Sequence, residues 1–234
     1  PALLASLRPC RRVGVSTCRN NGTPESQSSG TSSVSHSHTP TPPYSHTSSP
    51  RFGIVCRFTE QKGISHILEA LRMYAERHGD VDFTFAGQGE MEGTIRQFAA
   101  AHGLENVRVR DVPSPVDVLK DIDVFVHPGI DDAMPVSIVE ALMCGCPCVA
   151  TRVGGIPDLI RDGVEGFLIQ PGSAVEILRG MECFARMSAA ELSEFNKRGR
   201  KRYEEACRPE KVGAVVAEHY REILAANSNE HARE

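Results

Sequence analysis

The residues best suited to chemistry are two acids, Asp132 and Glu140, in the stretch DDAMPVSIVEALMCGCPCVATRVGGIPD spanning residues 131–158. An ionised carboxylate accepts hydrogen bonds from two vicinal hydroxyls at once, so acids facing a ligand suit a sugar or a ribose. The same stretch contains helix starts and the glycine pair Gly154-Gly155. Helix N-termini present unpaired N–H groups and partial positive charge, which favour phosphate. Hydroxyls plus phosphate point to a nucleotide or a nucleotide sugar.

These residues need elements to position them. Ile122, Val124, Phe125 and Val126 form a short apolar run of strand type that His127, Pro128 and Gly129 close, so a buried strand should end in a loop carrying Asp131 and Asp132. Pro135 suits a first helical turn, and Val136, Val139, Ala141, Leu142 and Met143 repeat at helical spacing until Gly145 and Pro147. Glu140 therefore lies on that helix, about two turns beyond Asp132. Cys148-Val149-Ala150 predicts the next strand, and a helical turn should begin at Pro157.

Upstream the alternation is the same. Phe52 to Cys56 predicts a strand, about Gly63 to Arg77 a helix with Ile67, Leu68, Leu71 and Tyr74 on one face, and Val81 to Ala86 a strand. Past Gly87-Gln88-Gly89 come a helix over about Glu90 to His102, a strand at Val107 to Val109, and a short helix capped by Ser114 and Pro115. Three helices should close the chain, at about Ser173 to Ala185, Ser188 to Ala206 and Pro209 to Ala226, the second opened by the capping box of Ser188 and Glu191. Strands alternating with helices through short connections predict an α/β fold, a Rossmann-like parallel sheet with helices on both faces. Ligands gather beyond the carboxyl ends of the strands in such sheets.

The expected organisation is a disordered Ser/Thr/Pro-rich tail over 1–50, a folded domain over 51–226 and a disordered C-terminus over 227–234. His36, His38 and His46 then read as polar linker residues, and the sequon at Asn21 as silent. A chain of 234 residues with net charge -4 can bury an ordinary core, and nothing in it argues for nucleic acid. No apolar run reaches the roughly 20 residues that span a bilayer, nor does the N-terminus read as a signal peptide. A cytoplasmic protein is expected. The C-x-C-x-C run of Cys144, Cys146 and Cys148 lacks zinc-site pairing and reads as small apolar core residues, while the other cysteines are scattered as in a reducing compartment.

In this order, the segments FGIVCRFTEQKGISHILEAL, DFTFAGQGEMEGTIRQFAAAHGLENVRV and DIDVFVHPG, followed by the 131–158 stretch, resemble the C-terminal, donor-binding domain of retaining GT-B glycosyltransferases of family four, the glycosyl transferases group 1. The resemblance covers about Arg51 to Ala226 and implies one half of a GT-B fold. It places Arg57 and Lys62 on the donor diphosphate, Asp132 and Glu140 on the E-x7-E signature, and Met134-Pro135 on the variant of capsule and exopolysaccharide enzymes. Asp132 would meet the donor sugar hydroxyls, Glu140 the nucleotide ribose, and the loop of Gly87 and Gly89 the nucleotide, with Gly154 and Gly155 letting sugar or phosphate near the backbone. The implied reaction is hexosyl transfer from a nucleoside-diphosphate sugar with retention, in glycan or exopolysaccharide biosynthesis. Arg57 and Lys62 would stabilise the leaving diphosphate, so no metal or other cofactor is implied beside the nucleotide sugar itself.

Two positions depart from the family. Asp132 stands where it has Glu, withdrawing the carboxylate by about one C–C bond, so that catalysis falls or the loop compensates. Cys56 stands where it has glycine. Other readings stay open residue by residue: Arg57 and Lys62 as solvated charges, Gly87-Gln88-Gly89 as a plain turn, His127 as a core or a site residue, and Lys197 to Arg202 as a solvated face. The acceptor-binding half of a GT-B enzyme has no room before Arg51. Transfer by this chain alone should therefore be weak or absent, with the acceptor site supplied by another polypeptide or a longer chain. The last helix carries Val212, Val215, Val216, Tyr220, Ile223 and Leu224, which predicts an exposed apolar patch or self-association. The alternative function is a non-catalytic nucleotide-sugar-binding module; a nucleotide-sugar epimerase should not carry the acid pair.

Overall fold

A computed structural model describes residues 49–111 and 114–231 of the chain. The tail expected over 1–50, with its histidines and sequon, lies outside these residues except for Ser49 and Pro50, which carry no regular structure. Six strands alternate with helices: β1 (Phe52–Val55), α1 (Ile64–His78), β2 (Phe83–Ala86), α2 (Glu92–Ala101), β3 (Val107–Arg110), α3 (Pro115–Asp121), β4 (Val124–His127), α4 (Val136–Cys144), β5 (Cys148–Thr151), α5 (Ile156–Leu159) and β6 (Gly166–Ile169). Then follow α6 (Ala174–Ala185), α7 (Ala189–Arg202), a π-helical segment (Tyr203–Cys207) and α8 (Pro209–His231).

All pairings are parallel and the strand order is β3-β2-β1-β4-β5-β6. A parallel sheet must be covered on both faces, and the strand residues divide accordingly. Phe52, Ile54, Phe83, Phe85, Val124, Val126 and Val149 pack with Ile67, Leu68 and Leu71 of α1 and Ile177, Leu178 and Met181 of α6. On the other face Phe125, Cys148 and Ala150 pack with Val118 and Leu119 of α3, Ile138, Ala141 and Leu142 of α4, and Ile156 and Leu159 of α5. Adjacent strand residues thus go to opposite cores, as the two-residue period of a strand requires. Asp123 joins the two central strands at their starts, accepting from Arg51 N at 2.8 Å and Arg51 Nη2 at 2.9 Å.

The α/β sheet is the expected one, with a sixth strand that sequence patterning missed. β6 is only four residues long and begins at Gly166, where a Cβ would stand 2.1 Å from the Cys148 carbonyl oxygen. That glycine permits close approach to β5 but weakens any periodic signal. The capping box forms as expected, with Ser188 Oγ accepting from Glu191 N at 3.3 Å and Glu191 Oε2 accepting from Ser188 N at 2.8 Å. Residues 227–231, assigned from sequence to a disordered end, continue α8 to His231. Ala225 and Ala226 favour helix, and no proline or glycine follows them to stop it. Residues 232–234 lie outside the described chain.

The basic run of α7 is absorbed by its surroundings. Lys197 pairs with Glu194, Arg198 lies 4.3 Å over the Phe195 ring, Arg200 pairs with Glu204, and Arg202 donates to the Leu159 carbonyl at 3.2 Å, capping α5. The C-x-C-x-C run is also structural. Cys146 and Cys148 are buried, and burial raises both thiols well above their ordinary range. The apolar stripe of α8 is exposed throughout, from Val212 at 47% to Tyr220 and Leu224 at 65%.

Candidate functional site

The strand order reverses direction between β1 and β4, and the loops leaving these two strands meet beyond their carboxyl ends. β1 runs into Cys56, Arg57 and Phe58, then a 3₁₀ turn at Glu60–Lys62 closed by Gly63 N donating to the Glu60 carbonyl at 2.8 Å. Gly63 has φ 72°, and a Cβ there would stand 2.4 Å from the Pro128 carbonyl oxygen. Only glycine lets this turn lie directly on the loop after β4. Ile130 N donates to the Gln61 carbonyl at 3.0 Å across the same junction.

That docking brings Lys62 and Asp132 together. Lys62 Nζ lies 2.5 Å from Asp132 Oδ2, and His127 Nε2 lies 3.0 Å from the same oxygen. His127 is 1% exposed, and the Asp132 side chain retains 14% exposure. The hydrogen bond from His127, seconded by Lys62, pushes the Asp132 carboxyl down to about 2 against the opposing effect of burial. Asp132 is a carboxylate held by two donors at one oxygen, with no bond to Oδ1 among the described residues.

The loop that carries Asp132 is seated from below by glycines. A Cβ on Gly154, whose φ is 49°, would lie 2.0 Å from the Asp132 carbonyl oxygen and 2.7 Å from that of Ala133. Gly155 N donates to the Ala133 carbonyl at 2.6 Å, and its own missing Cβ leaves room for the Met134 thioether. Met134 is exposed, while Pro135 is buried and forms the N-cap of α4, one place before the first turn expected for it. Gly154 and Gly155 therefore position the acidic loop through chain-to-chain contact.

Gly87 and Gly89 act in the same way at the other side. A Cβ on Gly87 would meet the Cys56 carbonyl oxygen at 2.0 Å, and one on Gly89 the Phe58 carbonyl oxygen at 2.5 Å. Phe58 N donates to the Gln88 carbonyl at 2.8 Å. The two glycines grip the residues on either side of Arg57, which is exposed and whose guanidinium has no hydrogen-bond or ion partner among the described residues. Cys56, beside them, is a neutral thiol pushed up to about 12 by burial.

Glu140 is separate from this cluster. It is half-buried on α4, its carboxylate has no hydrogen-bond or ion partner among the described residues, and burial raises that carboxyl above the ordinary range. The geometry thus unites Lys62 with Asp132, frames Arg57, and leaves Glu140 unpaired. Sequence patterning left His127 open between core and site, gave Gly63 and Gly129 only as element boundaries, and did not single out Thr151. Gly129, treated as a strand breaker, leaves only 3.2 Å between a would-be Cβ and His127 Nε2, and its carbonyl accepts from Thr151 Oγ1 at 2.6 Å. The available signal was the tripeptide His127-Pro128-Gly129 joining a buried strand to the acids. Among the described residues, no group of three or more His, Cys, Asp or Glu side chains is arranged to hold a metal ion, and no helix is long and apolar enough to cross a membrane.

Comparison with known proteins adds to this geometry. The family described as "Glycosyl transferases group 1" matches residues 44–202. The chain is 29% identical over 160 residues to the putative colanic acid biosynthesis glycosyltransferase WcaL of Escherichia coli (strain K12), covering 64% of this chain and 39% of that protein. It is 31% identical over 130 residues to the amylovoran biosynthesis glycosyltransferase AmsK of Erwinia amylovora, covering 51% and 32%. Among solved structures, Anabaena HepE in complex with UDP-glucose superposes with TM-score 0.66 at 22% identity, over 74% of this chain and 49% of that one. The C-terminal domain of the group 1 protein LpcC from Francisella tularensis superposes with TM-score 0.61 at 16% identity, over 68% and 87%. These structural likenesses show the fold, and the chain spans well under half the length of WcaL and AmsK.

Proposed function

The chain belongs to the glycosyl transferases group 1 family, and from that premise we propose that it is the donor-binding half of an enzyme moving a hexosyl group from a nucleoside-diphosphate sugar. The observation that carries this reading is the meeting of Lys62, Asp132 and His127, with Arg57 alongside, beyond β1 and β4 where the strand order reverses. Ligands of open α/β sheets bind at this point. Arg57 is unpaired and can meet a diphosphate directly, and Lys62 can reach it by leaving Asp132. These cations would stabilise charge developing on the leaving diphosphate, the kind of electrostatic effect that dominates many active sites. Glu140, half-buried without a partner, is suited to accept from ribose hydroxyls. Asp132 would offer Oδ1 to the sugar. Retention at the anomeric carbon and a role in exopolysaccharide assembly follow the family resemblance and the names of WcaL and AmsK. The free cysteines among the described residues support a cytoplasmic setting.

A second reading, a binding module that does not catalyse, is favoured by Asp132 being drawn onto Lys62. The acceptor site belongs, on the first reading, to a further portion of the enzyme, and the exposed stripe of α8 supports a packing surface for that portion or for a second copy. A monodisperse monomer at high concentration in light scattering would count against the second-copy version. Titration calorimetry with UDP-, GDP- and ADP-sugars tests donor binding. One of the three is expected to bind, and failure of all three overturns the proposal. Donor hydrolysis that Lys62→Ala abolishes would exclude the inert module.

A further inference from the structure

His127 occupies an environment that its packing alone does not explain. Its ring lies 6.2 Å from that of Phe125 with planes 27° apart, within the apolar end of β4. Its Nδ1 is buried with no partner among the described residues, while Nε2 faces Asp132 Oδ2. A buried ring nitrogen without a partner is unfavourable, and an apolar side chain would avoid it. Among the described residues, the one polar engagement of the imidazole is with the acid.

That acid has two donors on a single oxygen, and one of them is needed elsewhere. On the nucleotide-sugar reading, a donor diphosphate competes with Asp132 for Lys62 Nζ, which lies 2.5 Å from Asp132 Oδ2. When Lys62 turns to the anion, Asp132 loses a cation just as new negative charge arrives. The remaining Nε2–H donor is then what keeps the carboxylate in place and compensated. The geometry points to His127 as a positioning residue that retains Asp132 by Oδ2 while Lys62 exchanges Asp132 for the donor diphosphate. This rests on the nucleotide-sugar reading above.

The test is a double-mutant cycle read by calorimetric titration of the whole chain with UDP, with GDP and ADP in parallel. His127→Asn, whose amide does not extend to the Nε2 position, should weaken UDP binding by about tenfold, the size of one charge-assisted hydrogen bond. His127→Gln, which carries a donor to that position, should stay within about threefold of the unaltered chain. In the Asp132→Asn background, His127→Asn should change affinity by less than about twofold, because the charge it serves is gone. Equal weakening in both backgrounds, or a Gln variant as weak as Asn, overturns the inference and leaves donor binding standing. If none of the three diphosphates binds the unaltered chain, the nucleotide-sugar reading fails first and this inference with it.

Discussion

Asp132 and Glu140 belong to one short stretch of sequence yet sit in opposite environments. Asp132 is on a loop that folds back against its own strand, so donors from two chain segments converge on it and its carboxyl falls to about 2. Glu140 is on a helix whose direction is set by core residues Ile138, Ala141 and Leu142, and burial without a partner raises its carboxyl. A loop can bring a side chain to remote partners, whereas a helix holds it to the angle its buried face dictates. The first acid has one oxygen engaged within the protein, and the second has its accepting capacity unspent. Substitutions can break this contrast at three levels.

The largest effect should come from the support beneath Asp132. Gly154→Ala places a methyl 2.0 Å from the Asp132 carbonyl oxygen at φ 49°, so both backbone strain and a clash against main chain result. We expect a loss of about 2–4 kcal/mol in chemical denaturation. Gly163→Ala is the control, since Gly163 also has positive φ, 77°, but nothing stands within 4 Å of a Cβ there. It should lose only about 1 kcal/mol. Equal losses would mean that the contact with the acidic loop contributes nothing.

The next effect concerns the charge itself. The Asp132 carboxyl lies lower in the folded chain than its ordinary 3.8, so the unfolded chain binds the proton more readily. Stability from this group is therefore full above about pH 4 and lost as pH falls towards about 2. Asp132→Asn should cost about 1–2 kcal/mol at neutral pH after discounting for solvent screening, with the difference from the unaltered chain vanishing over that acid range. Paired denaturation curves at stepped pH check this, and a difference that persists unchanged at pH 2 would contradict it. On the proposed reading, the same substitution should tighten UDP in calorimetric titration, because Lys62 is released and a negative charge is removed beside it.

The sheet was legible in the sequence because apolar periodicity changes between strand and helix at nearly every junction from Phe52 to Thr151, and each helix is a local pattern. β6 escaped because its glycine start answers to the Cys148 carbonyl, a contact between segments far apart in sequence. The acids were found by type and place. The pairing of Asp132 was not, because the Lys62 to Asp132 contact exists only once Gly63 lets one loop rest on another. The glycines of both loops leave a turn and a ligand approach equally open in sequence, and each has a neighbouring backbone where its Cβ would be. A glycine in sequence announces a close approach without saying what approaches.

The smallest effect distinguishes the two acids by sign. Burial raises the folded-state value of Glu140 above its unfolded value, so the unfolded chain ionises first as pH rises. Folding loses free energy from this group as pH climbs through the folded-state value, the reverse of Asp132. Glu140→Gln keeps the shape and removes the ionisation, and should therefore stabilise the chain at neutral pH by a few tenths of a kcal/mol while weakening nucleotide binding through the loss of a charged acceptor. Denaturation and UDP titration of the same preparation measure both quantities. If Gln destabilises the fold at neutral pH, Glu140 has a partner inside the protein after all. The two acids would then be alike in being held within the protein, and the proposal that Glu140 is left to accept from a ligand would fall.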